Sequence, residues 1–162
     1  MLHIINILVE NHFGVLARVS GLFSARGYNI ESLCVGITED ATISRMTVVV
    51  QGDDNIVNQI MHQLNKMVEV IEVTNLAEDS HVERELVLVR LKTNPQNRTE
   101  LLEVADIFRA KIVDVSPESI IIEATGSKEK IKAFITMIRP YGIEDLSRTG
   151  RIALTRAGNG ND

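Results

Sequence analysis
The chain has 162 residues, room for one medium domain or two small ones of roughly 80 residues each. Its 17 basic and 22 acidic residues leave a formal charge of −5, which excludes a general affinity for nucleic acid, since that needs a basic face. Four Phe, two Tyr and no Trp offer no stacking platform for single strands, and the single cysteine, Cys34, excludes an internal disulfide.

Met1 leads straight into an apolar run, with no basic lead-in and no small-residue cleavage site. No apolar stretch approaches the roughly 20 residues that span a bilayer. The expectation is a cytoplasmic protein with no signal peptide and no membrane association. Residues 2–9 read as a strand that stops at Glu10-Asn11-His12. Gly14 then precedes a helix with the stripe Val15, Val19, Leu22, Phe23, which ends at Gly27. Leu33, Val35 and Ile37 alternate as in a strand, and residues 46–50 form another after the turn at Glu39-Asp40. Gly52-Asp53-Asp54 offers a carboxylate cap to a helix with Ile56, Ile60 and Leu64 on one face, widened by Val57 and Met61. Val68, Val70 and Val73 complete a β-α-β-β-α-β order, the ferredoxin-like unit.

Residues 77–82 are polar and charged and read as a linker, after which the pattern restarts. Residues 86–91 read as a strand, and Asn97 with Glu100 resembles a capping box. The helix behind it has Leu101, Leu102, Ala105 and Phe108 on one side. Residues 112–115 and 120–124 make a hairpin around Ser116-Pro117-Glu118. Ser127 caps a last helix striped by Ile131, Phe134, Ile135 and Ile138; Pro140 ends it, and residues 141–146 are the closing strand. Leu16, Val19, Leu22, Phe23 and Ala25 recur at one constant offset as Leu101, Val104, Ile107, Phe108 and Ala110, the mark of an internal repeat. The fold expected is α+β, two tandem ferredoxin-like βαββαβ domains. They cover residues 1–76 and 83–147, joined by the linker 77–82 and followed by a basic, then flexible, tail at 148–162.

The copies differ at their strand-to-helix loops. The first reads Glu10-Asn11-His12-Phe13-Gly14-Val15, the second Asn94-Pro95-Gln96-Asn97-Arg98-Thr99 with no glycine. Gly14 permits a tight turn and leaves its amide open. The amides that begin the following helix lie at the positive end of its dipole and suit a carboxylate. The Asn11 side-chain carbonyl suits an ammonium group. Such a loop holds an amino acid by its charged ends; the competing reading is a plain tight turn. The second strand of this topology lies at a sheet edge, and residues 27–33 carry no lysine or proline to protect it. Pairing of that edge with a second copy gives a two-fold dimer, with Asn29 and Ile30 near the loop 11–14, that of the same chain or of the partner.

Asn11-His12-Phe13-Gly14-Val15-Leu16-Ala17-Arg18-Val19, then Phe23-Ser24-Ala25-Arg26-Gly27-Tyr28-Asn29-Ile30-Glu31-Ser32-Leu33, resembles an ACT domain. More narrowly it resembles the amino-terminal ACT domain of the acetohydroxyacid (acetolactate) synthase small-subunit family, and Gly142-Ile143-Glu144-Asp145-Leu146-Ser147-Arg148-Thr149-Gly150 also looks like that family. The resemblance implies that residues 1–76 are an ACT domain that senses an amino acid and dimerises through its edge strands. It implies a regulatory subunit of branched-chain amino-acid biosynthesis that activates a large catalytic subunit and confers feedback inhibition by valine. The transferase chemistry, with thiamine diphosphate, magnesium and FAD, is expected on that partner, leaving no catalytic site and no cofactor on this chain. By the same resemblance, L-valine contacts Asn11, His12, Phe13, Gly14, Val15 and Leu16, with Asn29 and Ile30 closing the site across the dimer.

No metal is expected, because His3, His12, His62 and His81 belong to different elements with no ligand spacing. Glu10 and Glu31 lack the nucleophile or oxyanion site that an acid/base pair needs. Two alternatives are an amino-acid-binding module of another regulated enzyme or of a transcription regulator, which lacks its DNA-reading element here, and a small free-standing enzyme, which lacks a convergent catalytic set.

Overall fold
The computed structural model describes residues 1–77 and 79–158. They form two compact units, one of residues 1–77, 79–82 and 151–158 and one of residues 83–150.

In the first unit the order is β1 (Leu2–Glu10), α1 (Val15–Ala25), β2 (Ile30–Ile37), β3 (Ile43–Gln51), α2 (Asp54–Asn65) and β4 (Val70–Asn75). The sheet runs β2-β3-β1-β4 with every pair antiparallel, so β2 and β4 are its edges. Alternation sorts β1 between two faces. Ile5, Ile7 and Val9 join Met46, Val48 and Val50 of β3 under Val15, Val19 and Phe23 of α1 and Val57, Ile60 and Leu64 of α2. Each of those side chains contributes about 1.5–3 kcal/mol by leaving water. Asp53 caps α2 by accepting from the Asn55 amide at 2.7 Å. The apolar face of α2 is Val57-Ile60-Leu64, whereas Ile56 faces solvent. Val68, expected in the fourth strand, precedes it and is exposed.

The second unit repeats the plan: β5 (His81–Lys92, its first two residues in the first unit), α3 (Arg98–Ile107), β6 (Lys111–Val115), β7 (Ser119–Gly126), α4 (Lys128–Ile138) and β8 (Ile143–Arg148). Its sheet path is β6-β7-β5-β8. Val87, Val89 and Leu91 meet Leu101, Val104, Ala105, Ile131, Phe134 and Ile138 in its core. Phe108 packs edge-on against Phe134 with ring centroids 5.5 Å apart. The α3 face is Leu101-Val104-Ala105, and Leu102 is half exposed. The capping box does not form. Asn97 instead accepts from the Asn94 amide, and Glu100 accepts from the Tyr141 hydroxyl. Pro140 falls in a 3-10 turn, Arg139–Tyr141, that follows α4.

Two segments differ from the sequence expectation. His81 and Val82, read as linker, already belong to β5, because their extended backbone continues the strand. Residues 148–162, read as a tail, contain a further strand, β9 (Ile152–Thr155), counted with the first unit. Even-numbered residues of β1 face away from the helices, and there Ala153 is buried with Ile4, Val49 and Leu76. The physical reason is that Ile4 and Val49 are too apolar to be left in water. Of the flexible end read at residues 157–162, residues 159–162 lie outside the described residues, as does Glu78 of the linker.

Candidate functional site
Gly14 stands immediately before α1 with φ 83° and ψ −7°, the left-handed region that a residue with a Cβ enters only under strain. No side chain caps α1, so the amides of its first turn meet no side-chain acceptor. The Val15 amide lies 3.4 Å from the His12 carbonyl, and the Val15 side chain is part of the core.

Asn11 is fixed by the β2–β3 turn. Its amide donates to the Thr42 carbonyl at 2.7 Å and its Nδ2 to the Ala41 carbonyl at 3.1 Å. The side-chain NH2 is thus used within the protein, and Oδ1 is the group's remaining acceptor. The turn is itself braced by Asp40, whose Oδ1 accepts from the Thr42 amide at 2.9 Å and hydroxyl at 2.7 Å. Those bonds, the hydroxyl first, hold the Asp40 carboxyl below its ordinary value.

His12 places Nε2 2.9 Å from the Glu10 carboxylate, at an exposed position. Phe13 is fully exposed, at 104% of its reference area, and Leu16 is 43% exposed. An aromatic ring wholly in water at a loop tip contributes nothing to the core and is available to a partner or ligand.

Two further residues belong to this end of the sheet and escaped the sequence reading. Arg18 pairs with Glu69, and a Cβ built on Gly14 would lie 3.3 Å from Arg18 Nη1. The guanidinium thus lies beside Gly14 and adds a positive charge to the start of α1. Glu69 is held below the ordinary glutamate range, chiefly by its own backbone amide and then by Arg18. Only the fold brings Arg18 to Glu69, 51 positions away.

Asn29 and Ile30 sit elsewhere. Ile30 pairs with Val50 and Val50 with His3, whereas the loop follows Glu10 at the other end of β1. Seven residues of strand separate those ends by about 23 Å. One chain therefore brings residues 11–16 together and keeps Asn29 and Ile30 apart from them.

The second copy has spent the equivalent groups. Asn94 Oδ1 accepts from the amides of Gln96 and Asn97, both at 2.9 Å. Arg98 Nη2 donates to Thr93 Oγ1 and to the carbonyls of Ser116 and Pro117. The histidines are dispersed: His3 is buried with Nδ1 3.2 Å from the Asn75 amide, His62 lies on α2, and His81 begins β5.

Comparison with known proteins gives two family models. "AHAS small subunit-like ACT domain" matches residues 5–72, and "Small subunit of acetolactate synthase" matches residues 84–157. A probable acetolactate synthase small subunit of Archaeoglobus fulgidus is 56% identical over 96% of this chain and 98% of its own length. The acetolactate synthase small subunit of Mycolicibacterium smegmatis is 46% identical over 98% of this chain and 93% of its own. The crystal structure of the acetolactate synthase small subunit from Thermotoga maritima superposes with a TM-score of 0.88 at 40% identity, covering 96% of this chain and 98% of that one.

Proposed function
The chain belongs to the acetolactate synthase small-subunit family, and from that premise we propose that it is a regulatory subunit which activates the large catalytic chain and imposes feedback inhibition by L-valine. Thiamine diphosphate, magnesium and FAD belong to that partner, and the assembly works in the cytoplasm. The observation that carries the sensing role is the uncapped start of α1 behind a left-handed Gly14, bordered by Arg18. These groups suit a carboxylate, Asn11 Oδ1 suits an ammonium, and the side chains of Phe13 and Leu16 suit a branched aliphatic group.

The same reading requires a dimer. Asn29 and Ile30 reach the loop only from a second copy, and β2 is an unprotected edge. A two-fold axis normal to an antiparallel sheet places some residue opposite its own copy, because partners across the ladder share a face. With the axis anywhere from Leu33 to Val35, Asn29 falls opposite residues 37–41 of the second copy. That is the turn that fixes Asn11.

The test is mixed dimers of Gly14→Asp and Asn29→Leu chains, titrated calorimetrically with L-valine. A site built from two chains leaves one intact pocket per heterodimer, hence about a quarter of the wild-type sites after random mixing. No sites in the mixture would show that each pocket is built from one chain. Assay of the catalytic chain with and without this subunit, and with valine, tests activation and feedback directly.

A further inference from the structure
The segment after the second unit forms a strand, β9, that pairs with β5, and side-chain groups of the first sheet hold its other contacts. Asn6, 5% exposed on the face away from the helices, donates from Nδ2 to the Ala153 carbonyl at 2.7 Å. Its Oδ1 accepts from the Thr47 hydroxyl at 2.9 Å. A buried amide of this kind costs stability unless both ends are satisfied, so it specifies that the segment be docked there. The Arg156 amide adds a bond to the Ser80 carbonyl at 2.9 Å.

At the start of the segment Arg151 is buried, with Nη2 3.8 Å from the carboxylate of Glu31. Glu31 lies where β2 slips register against β3, between Ile30 and Ser32. A register slip is a local irregularity that a neighbouring contact can shift at low cost. Glu31 also directly follows Asn29 and Ile30, while Arg151 directly follows Gly150, the last residue of the second unit.

We infer that residues 151–156 form a relay strap, in which Arg151 senses the position of Glu31 at the start of β2 and passes occupancy of the Asn29–Ile30 end of the pocket into the strap and so along the chain toward the second unit. The inference rests on the pocket reading above. Ligand contact at Asn29 and Ile30 settles the irregular start of β2 and fixes the Glu31 carboxylate. Arg151 then holds the strap more tightly against Asn6 and Thr47. Arg151 and Glu31 are positioning residues and touch no ligand.

Hydrogen–deuterium exchange of the full chain, with and without L-valine, tests this in wild type, Arg151→Gln and Arg151→Lys. In wild type, valine slows exchange both at residues 11–16 and at the strap amides 152–155. In Arg151→Gln the loop keeps its protection and the strap loses it; Arg151→Lys, which keeps the charge, retains part of it. Strap protection that survives in Arg151→Gln, or a wild-type strap unmoved by valine while the loop is protected, overturns the relay. If valine protects nothing in wild type, the pocket reading falls and the ligand-free arm decides the relay. There Arg151→Gln should quicken exchange at residues 30–33, and unchanged exchange overturns it.

Discussion
Gly14 shows how much one residue settles. A Cβ at φ 83° is strained by about 1 kcal/mol, so Gly14→Ala should weaken valine binding modestly by distorting the loop. Gly14→Asp adds a carboxylate where the ligand's own would lie, and Arg18 Nη1, close to that position, would draw it in. Calorimetry should therefore find valine binding absent in Gly14→Asp and reduced in Gly14→Ala; equal affinities would remove the loop from the site. Phe13→Ala should leave the melting temperature unchanged, since a fully exposed ring stabilises nothing, yet weaken binding at the loop. Asp40 and Glu69 give the loop a pH dependence. Both carboxyls are lowered in the folded protein, so their stabilising contribution is complete above their ordinary values and is lost as pH falls through the lowered ones. A melting temperature flat through the neutral range should fall on acidification below the ordinary carboxylate range, and Asp40→Asn with Glu69→Gln should reduce that slope. The tight turn at Gly14 was legible in the sequence because a missing side chain acts locally. Arg18 was not, because its partner comes from a different strand connection.

At the scale of elements, the first strand-to-helix connection leaves its helix without a side-chain cap, whereas the second bonds to itself. The core strands recur 82 positions apart, as in Ile5, Ile7, Val9 and Val87, Val89, Leu91, whereas the first helices recur 85 apart. The second chain path from strand core to helix core is thus three residues longer, and there Asn94, Asn97 and Arg98 satisfy the backbone from within. The expected capping box failed for the same reason: Asn97 had a nearer donor in the Asn94 amide than in its own helix. The strand β9 within the strap is the other element the pattern concealed, being four residues long and flanked by charge and glycine. Asn6→Ala should destabilise the protein by about 1–3 kcal/mol in urea denaturation, because it leaves the buried Ala153 carbonyl and Thr47 hydroxyl without their partner. A loss within a few tenths of a kcal/mol would mean that the strap is not held by Asn6.

For the whole molecule the decisive feature is the free edge of β2. Val35 and Ile37 are 41% and 64% exposed there, and a lysine among them would oppose edge pairing. Val35→Lys should shift the chain from dimer to monomer in sedimentation velocity and remove valine binding with it. A monomer that still binds valine would place the whole pocket in one chain. The sequence by itself determined the two βαββαβ units, their cores and the loop that distinguishes them, because period, capping and glycine conformation act over a few residues. It also carried the family, through runs long enough to be specific. Tertiary pairing alone put Asn29 and Ile30 at the far end of β1 from the loop, Arg18 beside Gly14, and residues 152–155 in a strand paired with β5 that packs on the outer face of the first sheet. Each of those depends on strand pairing between distant segments, where register, and not local pattern, fixes which side chains meet.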